Sequence, residues 1–332
     1  MSRIEVQPQA SASTPEVAPP PVVRQVVEPA SVESTPRAGW LDVVRAYVGL
    51  TKPRVIELLL VTTLPAMFLA ARGLPDLGLV VATLVAGGLG SASANTFNCV
   101  LDRDIDEKMR RTRRRAIPRH KVSPLAGTIF GFVLAIVSTA VFLIWVNPLS
   151  AILTLAANAY YVFIYTMWLK RRQSQNIVWG GIAGCFPPLI GWTAVTGSVD
   201  WPPLIMFAIV FFWTPPHTWA LAFRYREDYA NAGVPMLPVV MEAPRVAVRI
   251  LIYTVLTVIT SLLLWPVAHT GWLYAGVAIV GGIWFLIEAV GLLRRARAGL
   301  RDAELRPMRL FHFSNSYLAI LFLAMAIDPI LF

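Results

Sequence analysis

Nine apolar runs, several of them separated by only two or three residues, leave this chain few choices of fold. They lie at about residues 55–71, 78–101, 124–146, 149–168, 176–197, 202–223, 246–268, 271–293 and 310–331. A helix needs about 20 apolar residues to cross ~30 Å of hydrocarbon, and each run is near that length. Loops such as Asn147-Pro148 and His269-Thr270-Gly271 force antiparallel neighbours. The prediction is an all-α polytopic membrane protein with nine transmembrane helices over residues 40–332. Composition supports it: 14% of residues are charged, against roughly 25% in a soluble domain.

Charge then sets the orientation. A net charge of +10 raises the question of nucleic acid, but the basic residues lie between apolar runs, so the expected surroundings are the lipid bilayer and no nucleic-acid partner. Of the 29 Lys and Arg, all but Arg72 fall on one side of the nine-span arrangement. Basic loops stay cytoplasmic. The N-terminus is therefore expected inside and the C-terminus periplasmic. Residues 1–39 hold seven prolines and no helical or strand period, which predicts a disordered Pro/Ser-rich cytoplasmic tail. This tail lacks the apolar core of a secretory signal, and its acids outnumber its arginines, unlike a transit peptide. Cys99 and Cys185 fall in apolar segments without a CxxC pattern, so neither disulfides nor covalent haem attachment is expected.

The chemistry points to the end of the second run. Asn98, Asp102 and Asp106 are spaced i, i+4, i+8. On a helix they form one stripe about 12 Å long, and Asp104 points elsewhere. Polar groups running back into an apolar span normally serve a site. Carboxylates so spaced can hold Mg²⁺, which takes one or two carboxylates plus phosphate oxygens and water. Lys108, Arg110 and Arg111 follow and suit an anionic ligand; Arg113, Arg114 and Arg115 are expected only to obey the inside-positive rule. A second cluster ends span six: Trp213-Thr-Pro-Pro-His217-Thr-Trp219, then Arg224-Tyr225-Arg226-Glu-Asp228-Tyr229. Pro215-Pro216 should kink that helix and open a cavity. Asp228 is either a second metal ligand or the i+4 partner of Arg224. His217 either orients a substrate or packs on Trp219. Lys170, Arg171 and Arg172 bind diphosphate or only snorkel. Asn176, Gly180, Gly181 and Gly184 suit close helix packing more than catalysis.

Together these residues resemble the UbiA-type intramembrane prenyltransferase superfamily. The Asn98-x-x-x-Asp102-x-x-x-Asp106 signature carries the superfamily. Four further stretches resemble its haem-farnesylating branch: Leu50-Thr-Lys52-Pro53-Arg54; Asn98 to Met109 with Arg111-Thr112; Trp213 to His217; and Asp228-Tyr229 with Ala232-Gly233-Val-Pro235-Met-Leu-Pro238. Phe311, Ser314 and Tyr317-Leu318 add to it, and the likeness spans about residues 45–331. Many members carry a second D-x-x-x-D after span six. Here Arg224 stands at its first position, leaving Asp228 alone with Tyr225 one turn before.

The resemblance implies transfer of farnesyl from farnesyl diphosphate to a vinyl group of haem B, with hydration, giving haem O and diphosphate. It implies Mg²⁺ on Asp102, Asp106 and Asp228, with Asn98 and Tyr225 also catalytic. Substrate would be bound by Lys52, Arg54, Arg111, Lys170, Arg171, His217 and Tyr229. It also implies a bacterial inner membrane, a site facing the cytoplasm, and a haem A synthase accepting the product. Three rivals stand beside it: a prenyltransferase for an aromatic quinone precursor, a bis-histidine haem electron-transfer protein using His217 and His312, and a transporter. The electron carrier has no use for the aspartate stripe, and the transporter lacks a polar path to the outer side.

Overall fold

The computed structural model describes residues 39–331, so the predicted disordered tail lies outside them except for Gly39. Among the described residues every regular element is helical. A short α1 (Trp40–Thr51) precedes α2 (Pro53–Ala71) and α3 (Leu77–Leu101), and α4 (Arg103–Lys108) follows them. Next come α5 (Pro124–Trp145) and α6 (Pro148–Ala159), which runs on through a π-helical stretch, Tyr160–Leu169, into α7 (Lys170–Arg172). The fifth span is α8 (Asn176–Gly180), a 3₁₀ turn at Gly181–Cys185, and α9 (Phe186–Thr196). Then come α10 (Trp201–Arg224), α11 (Arg226–Asn231), α12 (Leu237–Val240), α13 (Ala243–Ala268), α14 (Trp272–Arg297), α15 (Asp302–Leu305) and α16 (Pro307–Leu331). Nine of these segments are long and apolar enough to cross a membrane, and they fall within a few residues of the predicted runs.

The local sequence explains the ends. Proline occupies the first turn of α2, α5, α6, α13 and others, where its missing N–H costs nothing. Asp76, Ser123 and Asn147 cap α3, α5 and α6 by accepting backbone N–H bonds. Arg72, Gly197 and His269 close helices in the left-handed conformation. Pro215 and Pro216 were expected to kink α10; the helix continues through both, with two rungs of its ladder removed.

The spans pack as two bundles. In one, α3, α5, α6 and α9 are neighbours in turn; in the other, α10, α13, α14 and α16 are. α2 packs against α3, α9 and α16 and so belongs to both. The second bundle holds the larger core, including Met206, Ile250, Phe285 and Phe322. Outward-facing Ile136, Ile144, Ile283 and Trp284 are more than half exposed, as residues facing acyl chains are.

Two irregular segments meet inside the first bundle. A Cβ on Gly180 would lie 2.1 Å from Tyr165 Cδ2 in the π-helical stretch, and one on Gly191 would lie 2.3 Å from the Thr63 carbonyl oxygen. Glycine there lets the helices approach. Gly184 differs, because no atom lies within 4 Å of where its Cβ would stand.

Candidate active site

The stripe predicted at the end of span two is bent but continuous. α3 stops at Leu101, Asp102 caps it, and α4 restarts at Arg103. The Asp102 N–H bonds the Asn98 carbonyl at 2.9 Å and the Asp106 N–H bonds the Asp102 carbonyl at 2.8 Å, so the helical path persists. Asn98, Asp102 and Asp106 are all buried.

The chain brings a cation to each carboxylate. Lys170 Nζ donates to Asp102 Oδ2. Arg115 Nη1 donates to Asp106 Oδ2 at 2.6 Å. Arg110 Nε donates to Asp228 Oδ1 at 3.3 Å and its Nη2 to Glu227 at 3.2 Å. Asn98 links the set: it accepts from Lys52 Nζ at 2.6 Å and donates to Asp102 Oδ2 at 2.8 Å and Thr166 Oγ1 at 3.0 Å. One atom is left over. Asp102 Oδ1 is buried without a hydrogen-bond partner, with Arg171 Nη2 at 3.9 Å.

Two backbone departures place these cations. Pro53 disfavours the helical conformation for the residue before it, so α1 ends and Lys52 takes φ 53°, ψ 66°. Asn95 ties that break to α3 by donating to the Thr51 carbonyl at 3.0 Å. Lys52 sits between the spans, where burial, with Arg115 and Lys170 nearby, pulls its ammonium down to about 8. The second departure is the π-helical stretch, a feature often found at functional sites. Within it Thr166 Oγ1 donates five residues back to the Tyr161 carbonyl at 2.9 Å, and Lys170 follows.

The other predicted residues divide. Arg171 forks onto Asp104 at 2.7 and 2.8 Å, on the exposed side of the stripe, and this holds the Asp104 carboxyl below its ordinary value. Arg54 is exposed at the start of α2, with no ion pair among the described residues. The Arg111 guanidinium lies over the Tyr225 ring, 5.4 Å from its centre, and Tyr229 is half-buried beside Asp228. Asp228 pairs with Arg110, not with Arg224 as its alternative reading had it. His217 is stacked between Trp213 and Phe311, ring centres 4.2 and 4.4 Å away, with Nδ1 2.9 Å from Ser314 Oγ. Trp219 packs edge-on with Tyr253 instead. His312 is exposed, so the structure does not assemble a pair of histidines around one iron.

Sequence reasoning passed over Arg115 and Thr166. Arg115 belongs to a run of arginines that the inside-positive rule explains in full, and nothing in its spacing marks it as the one that reaches Asp106. A lone threonine in an apolar span carries no signal either.

The donor set suits a hard cation. Asp102 and Asp106 offer buried carboxylate oxygens, one of them unbonded, and Mg²⁺ needs only one or two carboxylates beside phosphate oxygens and water. Among the described residues no three of His, Cys, Asp and Glu are close enough to hold a metal together, so Asp228 is not drawn in with the other two. Next to this polar site a cavity with about 810 Å³ of empty volume, its open mouth included, lies between α2, α3, α6 and α9. Its walls are apolar, with Leu59, Gly87, Ala157, Gly184 and Ile190 among them. Asn95 and Tyr161 also line it, and Asn95 is one turn from Asn98.

Comparison with known proteins fits this geometry. Residues 59–315 match the model of the UbiA prenyltransferase family. A Cutibacterium acnes protein named protoheme IX farnesyltransferase is 66% identical over 299 residues, covering 90% of this chain and 89% of that one. A Nocardioides protein of the same name is 64% identical over 295 residues, covering 89% and 94%. Among solved structures, a digeranylgeranylglyceryl phosphate synthase superposes with a TM-score of 0.73 at 18% identity, over 88% of this chain and all of that one. A UbiA homologue from Archaeoglobus fulgidus bound to DMAPP and Mg²⁺ gives 0.61 at 15% identity, over 85% and 99%. Family match, close relatives and shared fold lead to one conclusion: this chain is an enzyme of the UbiA prenyltransferase family.

Proposed function

We propose that the enzyme transfers the farnesyl group of farnesyl diphosphate to a vinyl group of haem B, with addition of water, to give haem O and diphosphate. The observation that carries this reading is Asp102, a fully buried carboxylate with one unbonded oxygen beside an apolar cavity. The named relatives support the choice of donor and acceptor.

The residues supply what the reaction requires. An allylic diphosphate ionises only when its leaving group is neutralised. Mg²⁺ on Asp102 and Asp106 would act there as a Lewis acid. Lys52, Lys170 and Arg115, now on Asn98, Asp102 and Asp106, are within reach of a diphosphate and can turn to it as charge develops. Arg111 and Tyr225, and Asp228 with Tyr229, close the site from the span-six side. Asp228 would be free to hold a second Mg²⁺ only with Arg110 displaced from it. The farnesyl chain lies in the apolar cavity, whose walls keep water from the allylic cation. The vinyl π electrons form the new bond to farnesyl C1. Water then adds to the resulting cation next to the porphyrin and gives up a proton. His217, held by Ser314 between two aromatic rings, is suited to position a flat acceptor.

The inside-positive rule favours a site facing the cytoplasm of a bacterial inner membrane, with the N-terminus inside and the C-terminus periplasmic. A haem A synthase would consume the product. The test offers purified enzyme haem B and 4-hydroxybenzoate with several prenyl diphosphates, and identifies products by mass. Farnesylated, hydrated haem is expected. A prenylated phenol with unchanged haem would move the enzyme to quinone biosynthesis.

A further inference from the structure

A second cleft opens at the same membrane face, in the other helical bundle. It lies among the ends of α10 and α14 and the starts of α13 and α16, and five arginines line it: Arg224, Arg226, Arg301, Arg306 and Arg309. Two carboxylates, Glu242 and Asp302, share the lining. Among the described residues none of these arginines forms an ion pair with Asp102, Asp106 or Asp228.

Three observations separate the cleft from a solvated basic surface. First, among the described residues Arg224, Arg226, Arg301 and Arg306 have no carboxylate within 4.0 Å, although Glu242 and Asp302 line the same cleft. Second, the backbone that presents them is built. Asp302 and Arg306 adopt left-handed φ of 47° and 52°, a conformation that costs free energy in non-glycine residues. Arg295 Nε fixes that loop through the Leu305 carbonyl at 2.9 Å, and Arg309 is anchored at 2.7 Å on Glu288, which is buried. Third, apolar side chains share the lining, among them Phe223, Leu305 and Met308. Guanidinium groups beside apolar side chains fit a ligand with paired anionic oxygens on a greasy body, because each fork can take two oxygens at once.

The seam between α10 and α16 leads from this cleft to His217. Arg224 is seven residues beyond His217, and Pro307 seven before Ser314, two turns or about 10 Å along each helix. Residues seven apart share a helix face.

The geometry points to this cleft as a binding site for the acidic edge of an amphiphile. Two sources present that chemistry: the propionate edge of a porphyrin, which rests on the function proposed above, and the headgroup of an anionic phospholipid, which does not. Arg224, the position at which the chain departs from the second aspartate motif, is then a ligand-binding residue.

The test uses the full chain and the variant R224Q/R301Q/R306Q. Affinity is measured by spectral titration for haem B and for haem B dimethyl ester, whose acidic edge is neutral. Retained lipid is measured by native mass spectrometry from nanodiscs of phosphatidylglycerol or phosphatidylcholine. Loss of about tenfold or more in haem B affinity, with the ester unaffected, assigns the cleft to the porphyrin carboxylates. Loss of phosphatidylglycerol with haem binding unchanged assigns it to the lipid. Unchanged binding of both overturns the proposal. Should the triple variant not fold, R301Q and R306Q singly decide by the same criteria, and a wild-type enzyme that fails to distinguish haem B from its ester and phosphatidylglycerol from phosphatidylcholine also overturns it. A chain that binds no porphyrin yet keeps phosphatidylglycerol through these arginines would sink the farnesylation reading and leave the cleft standing.

Discussion

Lys52–Pro53 at the head of α2 and Arg306–Pro307 at the head of α16 are built alike. Each pairs a basic residue at φ near +50° with a proline that opens the next helix, and the two helices are neighbours. Lys52 turns inward and meets Asn98 at 2.6 Å. Arg306 stays exposed and lines the basic cleft. The difference follows from what lies opposite. α3 ends in a buried amide and carboxylate, and α10 ends in Arg224. One backbone device therefore serves the buried site proposed to neutralise a leaving group in one bundle and a cleft lined by unpaired arginines in the other.

The largest expected effect falls on the Lys52 side. Asp102→Asn keeps the shape of the side chain and removes its charge, so turnover should fall by at least about 10³-fold with membrane insertion intact. Product mass and membrane yield read both outcomes. Normal haem O formation would remove Asp102 from the reaction. Lys52→Ala should cost about 10²-fold in kcat/KM for farnesyl diphosphate, whereas Arg306→Ala, with haem B saturating, should change that constant far less. Equal losses would mean that the two breaks are mere helix punctuation. The sign of the pH dependence sharpens the contrast. Lys52 is charged below about 8 and neutral above it, so wild-type kcat/KM should decline as pH rises through that value. Lys52→Arg should flatten the decline.

A smaller effect probes the apolar cavity. Gly184 has open space where a Cβ would stand. Gly184→Leu should therefore fold and shorten the room for the prenyl chain. The ratio of kcat/KM for farnesyl over geranyl diphosphate is expected to drop about tenfold. An unchanged ratio would place the chain elsewhere.

The nine spans were legible because the bilayer imposes a length and the loops were short enough to forbid other pairings. The stripe was legible because i, i+4, i+8 survives a one-residue break at Asp102. What stayed hidden shares one cause: it depends on where the backbone leaves the regular helix. The π-helical stretch at Tyr160–Leu169 looks like any apolar run, so Thr166 and the aim of Lys170 had no signature. Arg115 and Arg110 lie in a loop, and loop arginines follow no period that would tell a partner of a carboxylate from a generic inside-positive charge. Asp104 was rightly kept off the stripe, but its hold on Arg171 needed the fold.

Those two loop arginines give the finest comparison. Arg115 meets Asp106 at 2.6 Å with its side chain only 26% exposed, and Arg110 meets Asp228 at 3.3 Å with 69% exposed. A buried carboxylate that loses its partner keeps an uncompensated charge; Asp228 is buried as Asp106 is, but its partner Arg110 lies largely in solvent, where screening weakens the pair. Arg115→Gln should thus disturb both folding and turnover. Arg110→Gln should cost less thermal stability than Arg115→Gln and alter kcat by only about two- to threefold, through a looser Asp228. A loss from Arg110→Gln as large as that from Arg115→Gln would mean that Asp228 works as closely with the diphosphate as the stripe does, and the span-six side would join the reaction centre on equal terms.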